Sequence, residues 1–272
     1  MADNRAIGIF DSGLGGLTVA KEIIKLLPQE NIVYFGDTGR VPYGTKGRDT
    51  IRRYALQDER FLLSHDVKMI VAACGTVSSV AADTAQCLPV PFVEVVSHSV
   101  QAAVSATKSK RIGILATNAT ISSGAHRKQI LKLLPDAQVV ESAGTLLVPI
   151  VEEGWIGEAD AVAIETLKRY LAPMIENDID TLILGCTHFP VLSDIIRKIL
   201  GDKVTLINMG VSTAHAISES LKSTDSLNDG ATPPTHSFFV SDKTTSFAKT
   251  ADILLGGYSK DLKVQQADVE KL

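Results

Sequence analysis

Two kinds of hydrophobic pattern alternate along the chain. Continuous, β-branched apolar runs mark strands buried on both faces, and apolar residues recurring every three or four positions mark one face of a helix. Strands are predicted at 6–10 (AIGIF), 31–35 (NIVYF), 69–73 (MIVAA), 91–96 (PFVEVV), 110–117 (KRIGILAT), around 139, at 180–185, at 204–208 (VTLIN) and at 237–242 (SFFVSD). Helices are predicted from Leu17 to a stop at Pro28, and over 48–65, 78–86, 122–134, 159–177 and 192–199. Two more are expected from Gly210 and over about 245–255. Strand–helix alternation predicts an α/β fold of mainly parallel, doubly wound sheets. The segment 36–47 (GDTGRVPYGTKG) carries four glycines and a proline and is expected to be an exposed loop. The polar stretch 223–237 (STDSLNDGATPPTHS) is expected to be a mobile surface loop.

The pattern repeats. Ile7-Gly8-Ile9-Phe10 returns as Ile112-Gly113-Ile114-Leu115, 105 residues on. The run ending at Cys74 (KMIVAACGTVSS) returns, 112 residues on, as the run ending at Cys186 (DTLILGCTHFP). Near-equal offsets imply two pseudo-symmetric units with a cleft between them. The expected division is 1–98 plus 210–272, carrying Cys74, and 99–209, carrying Cys186. One strand and two helices are too little for a domain, so the C-terminal part is expected to pack on the first unit.

Each cysteine ends a strand, is followed closely by a threonine, and precedes a helical pattern. Open α/β sheets bind ligands at such strand ends, and backbone N–H groups at a helix start favour a thiolate there. Two equivalent thiols, one per unit, fit the inversion of a stereocentre, in which one base removes a proton and an acid on the opposite face returns one. Ser12, Thr76, Thr117, Thr120 and Thr187 lie at predicted strand-to-helix turns, where hydroxyls and N–H groups suit a carboxylate. Asp11 is placed to hold an ammonium group or to bias Cys74, and His188 to do the equivalent beside Cys186. Glu152 or Glu153 is either a solvated charge or the partner that orients His188. Asp11, Ser12 and Thr76 are equally ordinary helix caps, and DSGLGG (11–16) departs from a dinucleotide fingerprint. Cys87, in TAQCLPVPF, has no comparable neighbours and reads as core packing or a surface thiol.

Composition narrows the class. The 272 residues suit two domains; 45% are hydrophobic and 5% aromatic, so the core is aliphatic. A net charge of -4 gives no electrostatic reason to expect nucleic acid or an anionic membrane. No signal peptide or membrane-length apolar run is visible. Three cysteines without paired spacing imply free thiols in a reducing, cytoplasmic compartment. No motif with metal-ligand spacing is present, and no metal is expected.

The segments FDSGLGGLT, YFGDTGRVPYG, VAACGTVSS, ILATNAT, VPIVEEG and LILGCTHFP resemble, in order and spacing, those of bacterial glutamate racemases. The resemblance covers about residues 7–190. It implies two α/β domains, no cofactor, a homodimer, and interconversion of L- and D-glutamate for cell-wall peptidoglycan. It makes Cys74 and Cys186 the acid/base pair and puts Asp11, Ser12, Tyr43, Gly44, Gly75, Thr76, Thr187 and His188 on substrate-contacting positions. Thr117, Thr120 and Glu152 would support them. The chain departs from the family at Gly75, where an asparagine is usual. This removes an amide side chain, keeps the backbone N–H and is expected to widen the pocket locally. Phe189 and His126 stand where tyrosines are common. An aspartate racemase, or a binding protein on the same scaffold, is the alternative reading.

Overall fold

The computed structural model describes residues 2–243, 247–256 and 263–269. The chain begins β1 (Ile7–Asp11), α1 (Leu17–Leu26), β2 (Ile32–Gly36), α2 (Arg48–Leu63), β3 (Met69–Ala72), α3 (Gly75–Val80), β4 (Phe92–Glu94) and α4 (Val95–Ala106). It continues β5 (Arg111–Ala116), α5 (Asn118–Ser123), α6 (Ala125–Leu133), β6 (Gln138–Ala143), α7 (Leu147–Glu152), α8 (Ala161–Glu176), β7 (Thr181–Gly185), α9 (Ser193–Leu200) and β8 (Thr205–Asn208). Last come α10 (Met209–Ser223), β9 (His236–Val240), α11 (Phe247–Leu255) and β10 (Val264–Gln266).

Two all-parallel sheets result. One has the order β10-β9-β2-β1-β3-β4, the other β6-β5-β7-β8. The segment β2-β1-β3-β4 of the first reproduces the order of the second, and the repeated IGI triplets form the central strands β1 and β5. Registers match accordingly: Ile7 pairs with Ile32 and Met69, and Ile112 with Val139 and Thr181. In both sheets the chain first adds a strand on one side of the centre, then crosses to the other. The crevice where the order reverses opens at the C-terminal ends of the strands, which is where such folds place ligands. Cys74 follows β3 and Cys186 follows β7.

The strand predicted at 91–96 stops at Glu94. The Glu94 carboxylate accepts the N–H groups of Val96 and Ser97 and caps α4, a helix whose first two residues are read from sequence as strand and whose remainder is not predicted. Val96, Val100 and Ala103 of α4 pack with Ile112, Ile114 and Ile183 of the second sheet. Each valine so buried stabilises by about 1.5–3 kcal/mol. The helix predicted at 122–134 is broken at Gly124, whose φ of 65° lets the chain turn between α5 and α6. The helix at 78–86 starts earlier, at Gly75, and changes to a 3-10 turn at Ala82–Cys87. The start expected for the last helix, 245–246, lies outside the described residues. The C-terminal strands extend the first sheet, with β9 on β2 and β10 on β9.

Both polar loops lie at the surface as composition implies, with Gly39, Val41, Pro42, Thr45, Lys46 and Gly47 exposed in the first, yet each is anchored. In 36–47, Asp37, Thr38 and Tyr43 are buried. In 223–237 the backbone is pinned: Lys68 Nζ donates to Ser226 O at 2.8 Å, and Asn228 N–H donates to Glu30 Oε1 at 2.9 Å. Lys68 and Glu30 form a 2.6 Å ion pair whose side chains are 1% exposed. Buried charges of opposite sign attract loop backbone as further hydrogen-bond partners.

Candidate active site

A cavity of about 360 Å³ lies between the C-terminal ends of the two sheets. Its walls include Ser12, Tyr43, Gly44, Cys74, Gly75 and Thr76 from the first unit, and Thr117, Glu152, Cys186, Thr187 and His188 from the second. Both thiols are nearly buried and free. Nothing is described for the Cys87 side chain.

The two sides carry different chemistry. His188 lies with Nδ1 3.9 Å from Cys186 Sγ and Nε2 3.0 Å from Glu152 Oε1. Burial works against a charged ring, yet the hydrogen bonds to Cys186 and Glu152 outweigh it and lift His188 to about 10. His188 is therefore an imidazolium at neutral pH, and of the two glutamates it is Glu152 that orients it. Glu153 offers its carbonyl to Lys249.

Cys74 instead donates to Ser12 Oγ at 3.4 Å, with Asp11 behind it. Burial first, and the charge of Asp11 second, push Cys74 up to about 12. The Ser12 hydroxyl and the N–H groups of Val77 and Ser12 oppose this only in part. A thiolate expected at a helix start is thus a thiol here, because desolvation and a neighbouring carboxylate outweigh a few N–H dipoles.

Asp11 and Thr120 do not line the cavity. Asp11 sits under its own turn, with Oδ2 accepting the Gly13 N–H at 3.0 Å, and burial raises its pKa. Thr120 accepts a 3.0 Å hydrogen bond from Thr117 Oγ1, which lies 3.3 Å from Thr76 Oγ1 across the cleft. Tyr43 lines the cavity but turns its hydroxyl away, onto Asp37 and Asp58. Gly75 does not open space. A Cβ there would stand 2.8 Å from the Gly185 carbonyl oxygen, so the strand end of the other sheet occupies the room. The DSGLGG turn has the same use: a Cβ on Gly15 would meet Thr187 Oγ1 at 2.2 Å, and Thr18 Oγ1 donates to Thr187 O at 2.8 Å.

Sequence reasoning missed Val41, Pro42, Thr45, Asn118, Thr145, Val148 and Pro149, which also line the cavity. The internal repeat held a signal for some of them. The segment after β6 occupies the position in its sheet that the VPYG loop occupies after β2, so both should reach the same cleft.

Paired parallel sheets, each ending in a thiol on one shared cavity, define an α/β isomerase of the amino acid racemase class. The chain belongs to the Asp/Glu/Hydantoin racemase family, whose profile matches residues 8–217. It is 42% identical over 268 residues to the glutamate racemase of Geobacter metallireducens, covering 98% of both chains. Among solved structures it is similar to glutamate racemase from Francisella tularensis in complex with D-glutamate. That likeness has a TM-score of 0.91 and 34% identity, and covers 99% of this chain and 100% of the other. It is also similar to glutamate racemase isoform RacE1 from Bacillus anthracis, with a TM-score of 0.92 and 36% identity over 98% of each chain.

Proposed function

We propose that this protein interconverts L- and D-glutamate without a cofactor, using Cys74 and Cys186 as a two-base pair. The observation that carries the reading is the placement of two structurally equivalent thiols on one cavity between pseudo-symmetric sheets. The names of the similar proteins supply the substrate. Hydroxyls and N–H groups at Ser12, Gly75, Thr76, Thr117 and Thr187 suit its carboxylates.

In the L-to-D direction the Cys186 thiolate removes the α-proton, and the Cys74 thiol returns a proton to the opposite face. Turnover leaves Cys186 protonated and Cys74 as thiolate, and the D-to-L direction restores the starting state. The thiol favoured at Cys74 is the acid this direction needs. His188, cationic beside Cys186, is placed to exchange a proton with that sulfur. We further place the product in peptidoglycan synthesis, in the cytoplasm, and the enzyme as a homodimer. The division between units is placed around residues 98 and 210. Among the described residues no helix is long and apolar enough to cross a membrane.

Solvent deuterium entering Cα of glutamate tests the proposal. Wild type exchanges both enantiomers, while Cys74→Ala and Cys186→Ala each abolish racemisation. Normal racemisation by either variant removes the two-base mechanism, and turnover of D-aspartate in preference to D-glutamate removes the substrate assignment.

A further inference from the structure

The lip of the cavity formed by Pro42, Tyr43, Gly44 and Thr45 is held from behind by a buried cluster that takes no part in the proposed proton transfer. Asp37 follows β2 and Asp58 lies on α2; both are 0% exposed. Both meet the hydroxyl of Tyr43: Asp37 through Oδ2 in the shorter contact, Asp58 through Oδ2 at 3.1 Å. Arg40 bridges the two carboxyl groups, donating from Nε to Asp37 Oδ2 at 2.6 Å and from a terminal nitrogen to Asp58 Oδ1 at 3.2 Å.

Hydrogen counting decides the charges. A tyrosine hydroxyl has one proton and can donate to only one carboxylate. The shorter contact and the 2.6 Å ion pair assign that donation to Asp37, which accepts twice on Oδ2 as an anion. The contact from Asp58 Oδ2 to the same hydroxyl then lacks a hydrogen unless Asp58 supplies it. A proton on Asp37 serves less well: on Oδ2 it would sit on the oxygen paired with Arg40 Nε at 2.6 Å, and on Oδ1 it would be buried with no partner to receive it. One arginine also balances one carboxylate, and a second unbalanced charge buried here would be costly.

We infer that Asp58 is a neutral carboxylic acid that donates its proton to the Tyr43 hydroxyl, and that this fixed proton makes Asp58 a positioning residue for the substrate lip. The order is Asp58 to Tyr43 to Asp37, with Arg40 closing the ring. Burial, then the charge of Asp37, raise Asp58 well above the usual carboxylate range; Arg40 and the contact with the Tyr43 hydroxyl oppose this, and Glu59 adds to it. The guanidinium also stacks 4.1 Å over the Tyr54 ring, so the cluster is fixed on α2 as well. The effect on turnover rests on the racemase reading of the cavity; the position of the proton does not.

Asparagine at position 58 mimics the acid, since its amide N–H donates to Tyr43 and its carbonyl accepts from Arg40. Alanine does neither and leaves the tyrosine held by Asp37 alone. Asp58→Ala is expected to raise KM for glutamate by at least about tenfold, as displaced positioning groups do, with Asp58→Asn restoring KM. The infrared difference between substrate-free wild type and Asp58→Asn at neutral pH should show the loss of one protonated carboxylic acid component, since Asp11 and Glu59, also raised by burial, are common to both. Asparagine as damaging as alanine in protein of unchanged melting temperature overturns the inference, as does a wild-type-minus-Asp58→Asn difference spectrum in which no acid band is lost. The spectrum needs no substrate, so it decides the proton even where the substrate assignment fails.

Discussion

At the scale of single residues the pseudo-symmetry of the fold ends. Cys186 faces a cation, His188, supported by Glu152, and Cys74 faces a hydroxyl, Ser12, with an acid behind it. The same strand-end geometry therefore yields two different proton positions, because charge and desolvation act over a few ångströms. The His188 ring gains its proton on folding, with a pKa near 10 against 6.5 when free. Its contribution to stability is present below about 6.5 and is lost as pH rises through about 10. Glu152→Gln removes one of the two partners that raise it. The alkaline limb of the activity profile should then move to lower pH, and an unchanged limb would mean that His188 does not govern it.

Gly75 is also decided at this scale. Loss of the asparagine side chain usual in the family reads, from sequence, as extra space, yet the Gly185 carbonyl fills that space. The backbones of the two units approach here as only a residue without Cβ allows. Gly75→Ala should lower stability by about 1–3 kcal/mol, the usual cost of overpacking, and should impair turnover by shifting the Gly185–Cys186 strand end. A melting temperature at or above that of wild type, with unchanged kinetics, would contradict this.

At the scale of elements, the helices with wide apolar faces were legible. The predicted spans of α2 and α8 differ from the observed ones by a few residues at their ends. The failures share one cause, namely that local pattern does not reveal what lies against an element. Apolar spacing put Val95 and Val96 in the strand and gave no helix over 97–106, because valine suits both states and the Glu94 cap that starts α4 has no apolar signature. His126 on α6 is another such case. It is 2% exposed, neither ring nitrogen has a partner, and burial lowers its pKa to about 4. Folding favours the neutral ring, so this stability is full above the unfolded value of 6.5 and declines as pH falls toward 4. The loss should approach about 3 kcal/mol, the order implied by a shift of a few units. Urea unfolding at pH 7 and pH 4.5 should show a slope that His126→Phe removes, and an equal slope in the variant would assign acid sensitivity elsewhere.

The whole molecule is two copies of one strand order facing across a cleft, tied together at the Gly15–Thr187 and Gly75–Gly185 contacts. Its C-terminal segment also holds the substrate side, since Gly39 N–H donates to Ser241 Oγ at 2.8 Å and Asp242 N–H to Thr38 Oγ1 at 3.0 Å. On the opposite side of the first sheet, Lys68 gathers Asp3 O, Glu30 and Ser226 O. Lys68→Met leaves Glu30 buried without its cation, which should cost about 3–5 kcal/mol and release the 223–237 loop to limited proteolysis. A variant as stable and as protease-resistant as wild type would show that the ion pair does not hold this loop.

The sequence by itself determined the α/β class, the repeat, the two strand-ending thiols and the turn residues beside them. All are local or periodic properties, written in apolar spacing and in short motifs. Only the tertiary structure decided that the polar loops are held down, that Glu152 rather than Glu153 meets His188, and that Asp11 and Thr120 stand behind the wall. It alone set the thiol state of Cys74 and the partners of Tyr43. Burial, electrostatic neighbours and close backbone approach arise between residues far apart in the chain, and no local pattern encodes them.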